Sequence, residues 1–130
     1  MTLFAHHIGG DASALVRGQA VHDLMRAHEV VLLQQVLDAV KSRNSVRLIG
    51  PAEAEDRAPT VAVAFDRAAE PISEALGREG IACWAGDFYA VRPLEAMGVD
   101  LGRGVLRMSL AHYTSAEDVA RLIAALDRVL

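Results

Sequence analysis

The 130-residue chain is predicted to fold as an α+β protein, a small, mainly antiparallel sheet with helices packed on one face. Three observations lead there. Apolar residues recur at helical spacing near both ends of the chain. Short stretches rich in β-branched residues lie between, punctuated by glycine and proline. The element order reads α-β-β-α-β-(α)-β-α, and each amphipathic helix must bury one stripe, which a sheet with helices on one face allows.

Residues 1–12 read as a loose lead-in with His6, His7 and a Gly-Gly break. From Ser13 to Val40 the pattern is helical, with Val21, Leu24, Met25, His28, Val31, Leu32, Gln35, Val36 and Ala39 at three- and four-residue steps. Gly18 weakens the start of that helix, so the division expected is a lead-in over 1–18 and a single α/β domain over 19–130. "SVRLIG" (45–50) is the first strand and Gly50-Pro51 ends it. The acidic stretch "PAEAEDRAP" reads as a solvated linker into a second strand, "TVAVAF" (60–65). A helix is expected over 70–79, with Pro71 in its first turn, and Gly80 stops it. "IACWA" (81–85) is the third strand, followed by an aromatic turn and a short helix over 93–97. "GVLRMSL" (104–110) is the fourth. Thr114 and Glu117 have capping-box spacing before a final helix whose apolar face carries Val119, Leu122, Ile123, Leu126, Val129 and Leu130.

Bulk properties exclude several classes. Hydrophobic content of 52% and charged content of 23% describe a globular chain. A net charge of −4, with arginines scattered along the sequence, argues against nucleic acid as a partner. One cysteine cannot form an internal disulfide, so a reducing cytoplasm is the expected setting. "MTLFAHHIGG" does not read as a signal peptide, and "VVLLQQVL" is far too short to span a bilayer, so no membrane role is expected.

Few residues carry chemistry on their own. His6-His7 lacks the further ligands that zinc needs, so no metal site is expected. Cys83 reads as a small hydrophobe within its strand, because nothing near it in sequence stabilises a thiolate. No phosphate loop, nucleophile elbow or carboxylate pair stands out. What does stand out is the turn "GDFYA" (86–90), which places a carboxylate and two aromatics where small polar residues are usual.

Two stretches together carry a resemblance. "GIACWAGDFYAVRPLEAMG" (80–98) followed by "GVLRMSLAHYTSAEDVARLIAAL" (104–126) resembles the C-terminal small domain of class V aminotransferases, nearest the cysteine desulfurase and selenocysteine lyase branch. "SVRLIGP" (45–51) and "RAPTVAVAF" (57–65) are similar to two further strands of that family. The similarity covers residues 20–130 and implies the small-domain fold of fold-type I pyridoxal-phosphate enzymes. By the same resemblance Arg107 matches the arginine that holds the substrate α-carboxylate, a role suited to a permanently charged, two-pronged donor. Trp84, Asp87, Phe88 and Tyr89 match the active-site loop. Read without the resemblance, Arg107 is an ordinary exposed strand arginine.

The departures from the family are specific. Tyr89 stands where desulfurases carry their persulfide cysteine, Cys83 lies six residues too early, and Trp84 replaces an arginine. A phenol cannot take up sulfur as a thiolate does. The family attaches pyridoxal phosphate to a lysine of a large N-terminal domain, whereas the one lysine here, Lys41, lies outside any matching motif. The resemblance therefore implies a small-domain portion, truncated or split from its large domain, that binds no cofactor alone and is not catalytic alone. Its expected partners are a second copy of itself or a large-domain chain, with an amino-acid substrate once completed. Phe88 and Tyr89 then either face a cleft closed by the other domain or fold back over the sheet as core. The alternative is a stand-alone ferredoxin-like binding or interaction module without enzyme activity. Under either reading, self-association through the long helix and the 84–94 loop is expected.

Overall fold

The structure, a computed structural model, describes residues 13–130, so His6 and His7 lie outside the described residues. The chain runs α1 (Ala14–Lys41), β1 (Val46–Ile49), a 3-10 turn (Ala54–Asp56), β2 (Thr60–Phe65), α2 (Glu70–Arg78), β3 (Trp84–Gly86), α3 (Val91–Ala96), β4 (Val105–Ser109) and α4 (Ala116–Val129). The four strands form one sheet in the order β1-β2-β4-β3, and every neighbouring pair is antiparallel. Hairpin β1–β2 is extended by β4, and α2 carries the chain across to β3 at the far edge.

Alternation along the strands sorts side chains onto two faces. Val61 and Val63 of β2 with Leu106 and Met108 of β4 meet Leu33 and Leu37 of α1, Leu76 of α2 and Leu126 of α4 in the main core. Each fully buried leucine there contributes about 1.5–3 kcal/mol by leaving water. The other face is only partly covered. Ile49, Ala64 and Val105 pack under Leu94 of α3 and Val99 of the loop after it. The three larger helices thus share one face, as the amphipathic stripes require, and α3 caps part of the opposite one.

Several local expectations are corrected. Gly18 does not break α1, which is helical from Ala14 with Ser13 as its N-cap. The third strand starts at Trp84, not Ile81. The Ile81 amide bonds to the Leu76 carbonyl to close α2, and the Cys83 carbonyl accepts the Ser73 hydroxyl, so residues 81–83 belong to the helix exit and not to the sheet. Stretch 51–59 keeps Glu53, Glu55 and Asp56 exposed, but its backbone is tied down. Ala54 is fully buried, and Arg57 donates to the carbonyls of Ile49, Pro51 and Thr60. Arg26 of α1 then clamps the carbonyls of Ala54, Glu55 and Arg57. Finally, the capping box of α4 is Ser115 with Asp118; Thr114 instead accepts the Ala111 amide in the preceding turn.

Candidate functional site

The partly covered face of the sheet carries the candidate site. Arg107 sits in the middle of β4, with its neighbours Leu106 and Met108 turned into the core, so the guanidinium points to the open side. Its partners across the strands are Trp84 of β3 and Ala62 of β2. Residues directly opposite in antiparallel strands share a face, with Cβ atoms about 4.5–5.5 Å apart, so Trp84 and Arg107 stand side by side. Trp84 is 70% exposed.

The bend after β3 is built to bring an aromatic ring under that guanidinium. Gly86 and Gly104 approach so closely that a Cβ on Gly104 would come within 3.2 Å of the Gly86 Cα, which locks the start of the bend against the start of β4. The Asp87 carboxylate then accepts the Tyr89 amide at 2.9 Å, and its carbonyl accepts the Ala90 amide at 2.8 Å. Asp87 is therefore a builder of the turn. Phe88 and Tyr89 both take left-handed backbone, at φ 54 and φ 60, which bulky residues rarely adopt. The outcome splits the two aromatics. Phe88 folds back against the second apolar cluster and carries the Arg107 guanidinium carbon 4.0 Å from its ring centre. Tyr89 is wholly exposed.

This arrangement leaves Arg107 oriented and free of any carboxylate among the described residues. A ring under its face fixes the guanidinium plane, while its N–H edges remain open to a planar, two-oxygen acceptor. The stack of Phe88 under Arg107 had no signal in the sequence, because left-handed bends are normally announced by glycine or asparagine.

The remaining reactive groups lie elsewhere. Cys83 is half-buried beside Ser73, and burial pushes its thiol above the ordinary value despite the Ser73 hydroxyl. Such a thiol is a poor nucleophile at neutral pH. Lys41 ends α1 on the helical side of the sheet, where its ammonium pairs with Asp38 at 3.1 Å and Glu53 at 3.7 Å. The hydrogen bond to Asp38, reinforced by Glu53, raises its pKa, so it stays protonated. Lys41 faces away from Arg107 and does not fit a role as a Schiff-base amine. Among the described residues, no group of three or more His, Cys, Asp and Glu side chains gathers to hold a metal, and no helix is long and apolar enough to cross a membrane.

Comparison with known proteins places this geometry in context. The sequence pattern of the aminotransferase class-V family matches residues 8–122, and the chain belongs to that family. A probable cysteine desulfurase of Pseudomonas aeruginosa is 34% identical over 80% of this chain and 24% of its own length. A cysteine desulfurase of Pectobacterium atrosepticum is 32% identical over 92% of this chain and 28% of its own. Among solved structures, the cysteine desulfurase CsdA of Escherichia coli superposes with a TM-score of 0.67 at 27% identity, over 81% of this chain and 25% of that one. The chain spans about a quarter of the length of the curated relatives it matches.

Proposed function

We propose that this chain is the small-domain portion of a pyridoxal-phosphate enzyme of the cysteine desulfurase-like branch. It would supply Arg107 and the 84–89 loop to an active site built mostly by other polypeptide. The observation that carries the reading is Arg107 itself, a guanidinium held over Phe88 on an open sheet face with no carboxylate partner among the described residues. A buried or paired arginine would be structural, whereas this one is oriented by Phe88 and open to solvent. The family's cofactor supplies an electron sink for amino-acid chemistry when bound. What this chain adds is grip: two parallel N–H donors for a carboxylate, held in a fixed plane.

The residues present do not fit cofactor attachment on this chain alone, since its one lysine is protonated and on the wrong face. Nor do they fit persulfide transfer, because Tyr89 occupies the tip of the bend and Cys83 is recessed beside α2. The completed site is therefore read as binding an amino acid without sulfur passing through this loop.

The test is affinity capture of the tagged chain from native extract. A large-domain chain bearing pyridoxal phosphate should co-purify, visible as a yellow adduct that borohydride bleaches. Arg107→Ala should lower kcat/KM of that complex on the order of 10²–10³-fold, as loss of a charge-assisted pair does. Capture of no cofactor-bearing partner, or a yellow adduct on Lys41 of the isolated chain, would overturn the reading.

A further inference from the structure

We infer that the shelf around Arg107 selects its ligand by body as well as by charge, taking a carboxylate whose aromatic side lies against Trp84. The inference rests on the proposed role of Arg107 and adds the class of molecule it holds.

Two facts about the surface carry it. Trp84 keeps most of its surface in water and Tyr89 all of it, although each could lower its free energy by burial. The backbone of Trp84 is held by the sheet. It opens β3, pairs in register with Arg107 and shares its face of the sheet, which places the indole on the flank of the guanidinium. The positions directly beside Arg107 in the sheet are mostly apolar. Its strand neighbours are Ala62 and Trp84 across, then Val105 and Ser109 along β4, and the Ser109 hydroxyl already accepts a hydrogen bond from Thr60 at 3.1 Å. A ligand docked by its carboxylate therefore meets an indole on one flank and a methyl group on the other. A flat apolar side chain would stack on that indole.

One other arginine-lined groove does not compete with this shelf. A groove of about 360 Å³ between β1 and the loop before β4 contains Arg47 and Arg103, but both are already engaged. Arg47 donates to the carbonyls of Met97 and Gly98; Arg103 donates to the Asp66 carbonyl and pairs with Asp100. The shelf is where an arginine and a tryptophan remain available together.

Trp84 is the chain's one tryptophan, so its fluorescence reports directly on the shelf. The full chain is titrated with 3-phenylpropanoate, with propanoate and with 3-phenylpropanamide. A saturable change in the millimolar range is expected for 3-phenylpropanoate, since an open shelf offers few contacts. Both comparison probes should bind roughly fivefold or more weakly, the scale of one aromatic stacking contact or one ion pair. Arg107→Gln should erase the advantage over the amide. Trp84→Leu, followed by NMR shifts of the Arg107 side chain, should erase the advantage over propanoate. Equal affinity for propanoate and 3-phenylpropanoate would overturn the aromatic preference while leaving a carboxylate grip intact. Indifference to Arg107→Gln, or no saturable response to any probe, would overturn the shelf as a binding site; capture of a cofactor-bearing partner is read separately.

Discussion

Tyr89 holds left-handed backbone at φ 60 with its whole side chain in water, so it bears a conformational cost and gains no packing in return. A non-glycine residue there is disfavoured by about 1–2 kcal/mol, and asparagine bears less of that cost than tyrosine. Tyr89→Asn should therefore stabilise the isolated chain by about 1 kcal/mol, read as a higher urea midpoint at unchanged slope. A fall in the midpoint would mean that the ring makes contacts the structure does not show. Phe88 cannot be relieved the same way, because its strain at φ 54 places a ring both in the second apolar cluster and beneath Arg107. Strain retained on a bare tip is the pattern expected where a residue serves a ligand and not the fold. Composition alone marked this bend as odd, since two aromatics follow a glycine and an aspartate. It did not say which ring turns inward, because that depends on the close approach of Gly86 and Gly104 across two strands.

Helix α4 shows how an element's start depends on a few atoms. The Ser115 hydroxyl accepts the Asp118 amide at 3.1 Å, and the Asp118 carboxylate accepts the Ser115 amide at 3.0 Å. The Ser115 amide, its hydroxyl and the more distant Arg121 hold the Asp118 carboxyl below its ordinary value. A carboxyl depressed in the folded state adds stability that is in place above the unfolded value and is lost as pH falls through the folded one. Ser115→Ala should thus cost about 1 kcal/mol at neutral pH and should flatten the loss of stability on acidification below the usual carboxylate range. Urea midpoints at neutral and acid pH for both proteins check this, and parallel acid slopes would refute it. The capping-box spacing pointed to Thr114 with Glu117, one residue before the box that forms, Ser115 with Asp118. Thr114 is diverted by the Ala111 amide, a loop contact with no sequence signature. Element type and order were legible because β2, β4 and α4 have strong periods of their own. The 51–59 stretch was not, because its order comes from Arg26 and Arg57 reaching backbone carbonyls, an interaction that charge composition disguises as solvation.

At the scale of the whole molecule, α1 carries two apolar stripes and the domain uses one. Glu29, Leu32, Leu33, Val36, Leu37 and Val40 turn to the core. Val16, Ala20, Leu24, Ala27 and Val31 recur at four- and three-residue steps on a different arc, and Val31 is 61% exposed. The sequence merged these into one face through Leu24 and Val31, since helical period reports that stripes exist but not which one a sheet will cover. The first half of α1, through His28, has no buried residue, although His28 reaches the Thr114 carbonyl at 2.8 Å. A contiguous apolar stripe left bare on one side of a helix favours association. In isolation, therefore, the chain is expected to form dimers or larger species through the outer stripe of α1, and Leu24→Glu with Val31→Glu should return it toward the 13.9 kDa monomer. Light scattering across a concentration series, with circular dichroism to show that helix content is kept, decides the matter. A wild-type chain that stays monomeric at high concentration would show that this stripe tolerates water. Association that persists in the double variant would move the contact to the Trp84–Tyr89 shelf, where Arg107→Gln and Trp84→Leu can be tested in the same assay.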